Sequence, residues 1–456
     1  MEKESIKKEL DSIYPVSMED RTMSPLDYAL VFWSSTIVVQ IMVVGLYILV
    51  PIGQLNFIQV IFVGIISSII LSFCMTYNGL PGIKYGIPFI IQSRAAFGTK
   101  GARIVAFVRS IPAIAWNGIG CWIGAISLEV VTVQVFGFGN VWAYFFLILF
   151  VQGLLAYKGI GSIKAFDAFM SIVIFVMLIY FFYVVLKEGS IDFSKALRVK
   201  GNWSLPFIAG IMAACANYTT AILNASDIMR HIKPKSEKRM LSSSAFACFF
   251  GVIPPWMFMI LSGMLIGLAT GATDPIQGLV ELSPSPAFGV ILLLFIIIAQ
   301  VTSNLTLNIL PPALAMQDAF GITWKKGVII VSILSVLTAP WVLYSSNYFF
   351  KFQNIYSSLL GPAFGVLIAN YYIINKQELN VKLLYSNKGS AYEYKNGFSP
   401  AAMAALVVGA MLSFIMLDYS WFIGMPSAFI IYVVLKNIGI EKTYEENQKQ
   451  VVTYQE

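Results

Sequence analysis

Residues 214–227 read ACANYTTAILNASD, and half of these positions carry hydrogen-bonding side chains: Asn217, Tyr218, Thr219, Thr220, Asn224, Ser226 and Asp227. The stretch lies inside an apolar run, 205–229, long enough to cross a bilayer as a helix. Polar groups left unsatisfied in hydrocarbon are costly, so the run reads as a broken helix. Its freed carbonyls and amides are then expected to face an ion and a solute at mid-bilayer.

The rest of the chain supports that setting. Of its 456 residues 58% are hydrophobic, 14% aromatic and 12% charged, with a mean hydropathy of +0.77. Soluble domains carry roughly a quarter charged residues, so a water-soluble globular enzyme is excluded. Apolar runs bounded by charges and turn residues predict an all-α polytopic membrane protein with twelve spans: about 28–49, 54–77, 104–135, 141–158, 163–187, 205–229, 240–270, 287–316, 326–345, 352–374, 398–417 and 419–437. The stretch 78–103 is too polar to face lipid along its length and reads as a loop or short surface helix.

Orientation follows from the basic residues. Of 30 Lys and Arg, five (Lys187, Lys195, Arg198, Lys200, Lys351) fall in outside loops, Arg109 falls within a span, and the other 24 fall in cytoplasmic segments when the N-terminus starts inside. Shifting the span count by one destroys this bias, so both termini are expected in the cytoplasm. The net charge of +7 is thereby explained by topology and does not imply nucleic acid. Residues 1–27 read as a cytoplasmic N-terminal tail without a signal peptide, 28–437 as the transmembrane domain and 438–456 as a polar cytoplasmic C-terminal tail. Cys74, Cys121, Cys215 and Cys248 all lie in apolar segments without C-x-x-C spacing, as buried or lipid-facing thiols do.

Two further spans concentrate polar groups. Span 1 holds WSSTIVVQ (33–40), although no Gly or Pro occurs there before Gly45 to break it. Span 8 holds AQVTSNLTLNILPP (299–312). Spans 1 and 6 open two possible five-span halves, 28–187 and 205–374, with 398–437 as additional helices. On span 8, Ala299, Thr302, Ser303 and Thr306 share a helical stripe. Two hydroxyls there, joined by carbonyls of a broken helix opposite, suit a monovalent cation, since no carboxylate sits on the stripe. On an α-helix Asn308 lies roughly 140° from Ser303 and is expected to face a second ligand on another side. Its amide offers a donor and an acceptor, matching the N–H and C=O edge of a heterocycle or ureide.

In span 3, IPAIAWNGIGCWIG (111–124) places Trp116 before Gly118, Gly120 and Gly124, which are expected to clear space for a flat object against its ring. The remaining intramembrane charges are Glu129, Asp167 and Asp227, beside Arg109. Asp227 with Arg230 reads either as an intracellular gate or as a helix cap. His231, the only histidine, falls in a cytoplasmic loop, which disfavours a histidine proton relay or a membrane hydrolase.

These residues resemble the nucleobase–cation symporter-1 family over nearly the whole length. The resemblance is carried by GLPGIKYGIPFIIQSRAAFG (79–98), AWNGIGCWIG (115–124), LNASDIMR (223–230) and TSNLTLNILPPA (302–313). It implies a leucine-transporter-like fold with a 5+5 inverted repeat. By motif, Trp116 matches the aromatic that stacks on the substrate ring, and Tyr218, with Asn217 beside it, falls where hydantoin-transporting members have a second stacking aromatic. Asn308 and Asn304 match substrate asparagines. The family's helix 1 glutamine falls on Val39 or is served by Gln40. Ala299, Thr302 and Ser303 match the helix 8 part of a sodium site, completed by helix 1 carbonyls at about Ser35 and Val38. Gly120 stands where those members have a glutamine, so hydantoin itself is not the expected substrate.

The expectation is a plasma-membrane secondary transporter and not an enzyme. It needs no cofactor and imports a planar nitrogen heterocycle (uracil, cytosine, a purine, allantoin or a hydantoin-like compound) with Na⁺ as coupling ion. Its partners are that small molecule, the cation and the lipid bilayer. H⁺ coupling within the same family and a non-planar solute such as an amino acid are the alternatives. A channel is disfavoured because neither repeated pore segments nor rings of charge occur.

Overall fold

A computed structural model describes residues 13–158, 164–187, 191–386 and 390–440, with the backbone alone over 164–171. Residues 1–12 and 441–456 of the expected tails, and the Asp167 side chain, lie outside the described residues. The described residues are helical throughout, with isolated β-bridges and no strand. Six helices are long and apolar enough to cross a membrane, and one bent pair makes a seventh.

The bent pair is α1 (Pro25–Thr36) and α2 (Val39–Ile48), which meet at 59°. Ser24 and Asp27 close a capping box that starts α1 with Pro25 at its first position. The break at Ile37 and Val38 needs neither Gly nor Pro. Four consecutive β-branched residues, Thr36 to Val39, crowd the preceding turn, and the Thr36 hydroxyl bonds back to Phe32 O at 2.7 Å. Val38 is fully extended, with φ −134° and ψ 146°.

The segment expected as a loop or surface helix is neither. α3 (Phe57–Tyr85) runs straight through its first part, and α4 (Phe89–Phe136) takes the remainder, with a kink at Gly98 (φ 81°). Phe89 to Gly98 are buried throughout. The polarity that argued against lipid is spent on protein partners. Asn78 Nδ2 donates to the carbonyls of Ile222 (2.8 Å) and Leu223 (3.0 Å). Asp227 Oδ1 accepts the Phe89 N–H at 2.6 Å, capping a helix start whose own N-cap, Pro88, offers no side-chain bond. Asp227 is thus a cap for α4. Glu129 plays a similar part at the other end of α4, accepting the Val141 N–H of α5 (Val141–Tyr157) at 2.9 Å.

Beyond α6 (Lys164–Lys187), span 6 is interrupted twice, as its polar run predicts. α7 (Leu205–Asn217), α8 (Thr219–Leu223) and α9 (Ala225–Met229) are separated at Tyr218 and at Asn224. Next, α10 (Met240–Thr270) packs against α1, α2 and α3. Span 8 is α11 (Pro286–Asn304), a π-helical turn Leu305–Ile309, and α12 (Leu310–Phe320). Pro311 and Pro312 lack the N–H groups that an α-helical ladder needs there, which loosens the turn before them. α13 (Trp324–Leu337), α14 (Phe349–Ile368), α15 (Pro400–Ile415) and α16 (Ser420–Asn437) complete the bundle.

Where α2 crosses α10 the backbones touch. A Cβ on Gly45 would lie 2.0 Å from Ile260 O, and one on Gly263 would lie 1.9 Å from Met42 O. Small residues at such crossings let membrane helices approach closely. Gly263→Val is expected to force the two helices apart, with an overpacking cost of about 1–3 kcal/mol or more. The check is thermal melting of purified protein in detergent. An unchanged Tm would mean that this crossing is not tight.

Candidate functional site

The break in α1–α2 leaves the carbonyls of Ser34, Ser35 and Ile37 without a backbone N–H, while Val38 O accepts only from Ile41 (3.1 Å). Opposite them stands α11 with its hydroxyls. Thr302 Oγ1 donates to Ile298 O (3.1 Å) and Ala299 O (3.3 Å), and Ser303 Oγ donates to Gln300 O (3.3 Å). Ser35 Oγ likewise donates to Val31 O at 3.3 Å. Each hydroxyl spends its one proton on its own helix, so its oxygen lone pairs remain for a cation.

One cavity gathers nine of the twelve residues expected at the site. Ser35, Val38 and Gln40 come from the α1–α2 break, Trp116 from α4, Asn217 and Tyr218 from the α7–α8 break, and Ser303, Asn304 and Asn308 from span 8. Ala299, Thr302 and Gly120 do not line it. Ala299 and Thr302 are buried on α11 on the side of Ser303. Gly120 faces Asn304 instead of open space, since a Cβ there would lie 2.5 Å from Asn304 Nδ2. Gly118 packs on Ser335 and Gly124 on Ile148, so these glycines admit neighbouring helices and do not clear a floor beneath Trp116.

The angular expectation for Asn308 is also corrected. The π turn holds more residues than an α turn and therefore advances less per residue. As a result Ser303 and Asn308 border the same cavity, where an unbroken α-helix would have set them 140° apart.

The side chains around the cavity are held from behind. Trp116 Nε1 donates to Tyr356 OH (3.2 Å), whose own proton goes to Ala216 O (2.7 Å) at the end of α7. Edge-on contacts with Phe349 and Phe352, centroids at 5.8 and 5.7 Å, fix its ring plane. Tyr218 OH meets Thr36 Oγ1 at 2.8 Å, tying the break in span 6 to the break in span 1. Because the Thr36 proton is committed to Phe32 O, the phenol is the donor. Gln40 and Gln300 pair amide to amide at 2.9 and 3.1 Å. Asn217 Nδ2 is buried with no partner among the described residues, so it is a donor in want of an acceptor.

Arg109 is a site residue whose role the sequence did not disclose. It is buried on α4, and its NH2 donates to Thr220 O (3.2 Å) and to Leu307 O (3.0 Å). Leu307 O can receive no N–H from position 311 or 312, since both are proline, and the guanidinium takes their place. Arg109 therefore links the irregular turns of spans 6 and 8. Elsewhere Asp318 of α12 pairs with Arg94 and, at 3.1 Å, with Arg103.

Comparison with known proteins agrees with this architecture. A family model described as permease for cytosine/purines, uracil, thiamine and allantoin matches residues 15–435. The allantoin permease of Bacillus subtilis is 28% identical, over 94% of this chain and 93% of its own length. The hydantoin permease of Microbacterium maritypicum is 24% identical, over 92% and 87%. Among solved structures, Mhp1, a nucleobase–cation symport-1 transporter closed around bromovinylhydantoin, superposes with a TM-score of 0.85 at 22% identity, covering 96% of this chain and 98% of Mhp1. A Na⁺-coupled sialic acid symporter shares the fold at a TM-score of 0.66 and 14% identity, covering 94% and 92%.

Proposed function

The chain belongs to the nucleobase–cation symporter-1 family of multi-pass membrane permeases, and on that premise we propose that it imports a planar nitrogen heterocycle by symport with Na⁺. The observation that carries this reading is the convergence of three polar clusters, far apart in the chain, on one cavity at three helix irregularities. Trp116 and Tyr218 supply the aromatic faces for a ring, while Asn217, Asn308 and Gln40 supply amides for its edge. The ion is coordinated by the Thr302 and Ser303 hydroxyls, the Ala299 carbonyl and the carbonyls near Ser35 and Val38. Among relatives, an allantoin and a hydantoin permease favour a ureide or hydantoin-like compound as the first to be tried.

The transporter works as twelve spans, two inverted five-span halves (28–187 and 205–374) and two further helices (398–437), in the plasma membrane with both termini in the cytoplasm. The breaks in spans 1 and 6 are then equivalent positions of the two halves. Ion and solute lie against the same broken helices, so binding of the ion favours the helix arrangement that binds the ring. That differential binding is what couples the two fluxes.

The test is uptake of labelled allantoin, hydantoin, uracil, cytosine and hypoxanthine into proteoliposomes, with and without an inward Na⁺ gradient. Accumulation of one of them that rises with the gradient is the expected result. Accumulation driven only by a proton gradient would replace the ion, and no accumulation under either gradient would overturn the heterocycle reading.

A further inference from the structure

A line of side-chain amides runs from the cavity to the backbone of α13. Asn308 Nδ2 donates to Asn304 Oδ1 at 2.8 Å. Asn304 Nδ2 donates to Gln152 Oε1 and to the Asn117 backbone carbonyl, both at 3.2 Å. Gln152 Nε2 donates to Asn117 Oδ1, Asn117 Nδ2 to Ser335 Oγ (2.9 Å), and Ser335 Oγ to Val331 O (2.8 Å). Asn304, Gln152, Asn117 and Ser335 are at most 1% exposed, so water replaces none of these bonds.

An amide can be turned over, exchanging its oxygen and nitrogen, unless its neighbours forbid it. Here two backbone carbonyls, which only accept, set the direction. Ser335 gives its single proton to Val331 O, so its oxygen must accept and Asn117 must present its NH₂. Asn117 Oδ1 then faces Gln152, which must donate and so turns its oxygen to Asn304. The Asn117 carbonyl imposes the same sense on Asn304. Both Asn304 protons are thereby used inward, and its oxygen takes the Asn308 NH₂. Of the amide and hydroxyl oxygens in the line, Asn308 Oδ1 alone receives no donor, and it belongs to a residue that lines the cavity and has no partner for that oxygen among the described residues.

We infer that Gln152, with Asn117 and Ser335 behind it, is a positioning residue that holds Asn308 Oδ1 as an obligatory acceptor, so that the transported compound must present an N–H to it. This rests on reading the cavity as a heterocycle site. Sites built to hydrogen-bond a substrate N–H discriminate strongly against analogues lacking it, because the buried acceptor is then left unpaired.

The experiment measures KM and Vmax for hydantoin and competition by 1-methylhydantoin and 3-methylhydantoin, with uracil and its two N-methyl derivatives in parallel. Wild-type protein is expected to prefer the parent compound over one methyl derivative by about tenfold or more. Gln152→Leu removes one of the two acceptors that orient Asn304. It is expected to raise KM for the parent about tenfold while Vmax changes little, and to shrink the preference over the methyl derivative to less than about threefold. Gln152→Glu, as the neutral acid, still offers an oxygen to Asn304 and an O–H to Asn117 Oδ1 and is expected to stay near wild type, which a mere packing role would not require. Should Gln152→Leu fail to fold, Ser335→Ala deletes a single oxygen at the far end and is expected to shift both quantities the same way. If wild-type discrimination persists in both variants, the inference is wrong while the heterocycle reading stands. If the wild type takes up none of hydantoin, uracil, allantoin, cytosine and hypoxanthine, both fall together.

Discussion

Protein carrying Thr302→Ala and Ser303→Ala together is expected to transport without any stimulation by sodium. Na⁺ requires several oxygens at once; Ser303 lines the cavity with Ser35 and Val38 of the α1–α2 break, and Thr302 is the neighbouring hydroxyl on α11. Alanine removes both oxygens without adding bulk, and the carbonyls of Ile298, Ala299 and Gln300 lose only a secondary donor. Folding is therefore expected to survive, which a melting curve in detergent checks directly. The decisive reading is the ratio of initial uptake rates with and without an inward Na⁺ gradient, expected to fall to about one. A ratio unchanged from wild type would move the ion elsewhere. A double variant with no uptake at all but an unchanged Tm would still be informative through its dependence of equilibrium ligand binding on Na⁺, expected to vanish too.

Trp116→Ala is expected to weaken substrate affinity by about 5- to 150-fold, the equivalent of about 1–3 kcal/mol of ring stacking. The indole lines the cavity, makes edge-to-face contacts with Phe349 and Phe352, and donates its N–H to Tyr356. Trp116→Phe keeps a ring and gives up the hydrogen bond, so it is expected to retain much of the affinity. The pair thus separates stacking from the Tyr356 link. Equal uptake by wild type and Trp116→Ala would favour a non-planar solute, for which a flat aromatic wall serves no purpose.

Much of the site is legible before any coordinates are seen, because a bilayer makes polar side chains conspicuous. Asn217 to Asp227, Ser34 to Gln40 and Thr302 to Asn308 stand out as groups that hydrocarbon would not tolerate without partners. Trp116 stands out by its place mid-span among glycines, and family likeness adds its stacking role. Other features escape for identifiable reasons. The break in span 1 rests on β-branched crowding, a weaker signal than proline or glycine. The stretch 78–103 is polar because it lies against span 6 and α12, and composition cannot distinguish a polar helix buried in protein from one on the surface. Gln152 is a lone amide in an otherwise apolar span, a signal that was present, yet its partners lie 35, 152 and 31 residues away in the chain.

What the amino-acid sequence determines by itself is the inventory: a membrane protein of many apolar helices, and the few places where polar groups enter the bilayer. Those follow from local composition, since the cost of a polar group in lipid is paid at each residue. Tertiary structure alone decides which groups meet. The π turn before Pro311 brings Asn308 round to the cavity of Ser303, Arg109 supplies the donor that two prolines withhold from Leu307, and the amide line from Val331 to Asn308 sets the sense of the Asn308 amide. Each depends on the direction of a hydrogen bond between distant helices, and direction is a property of packing that no single span contains.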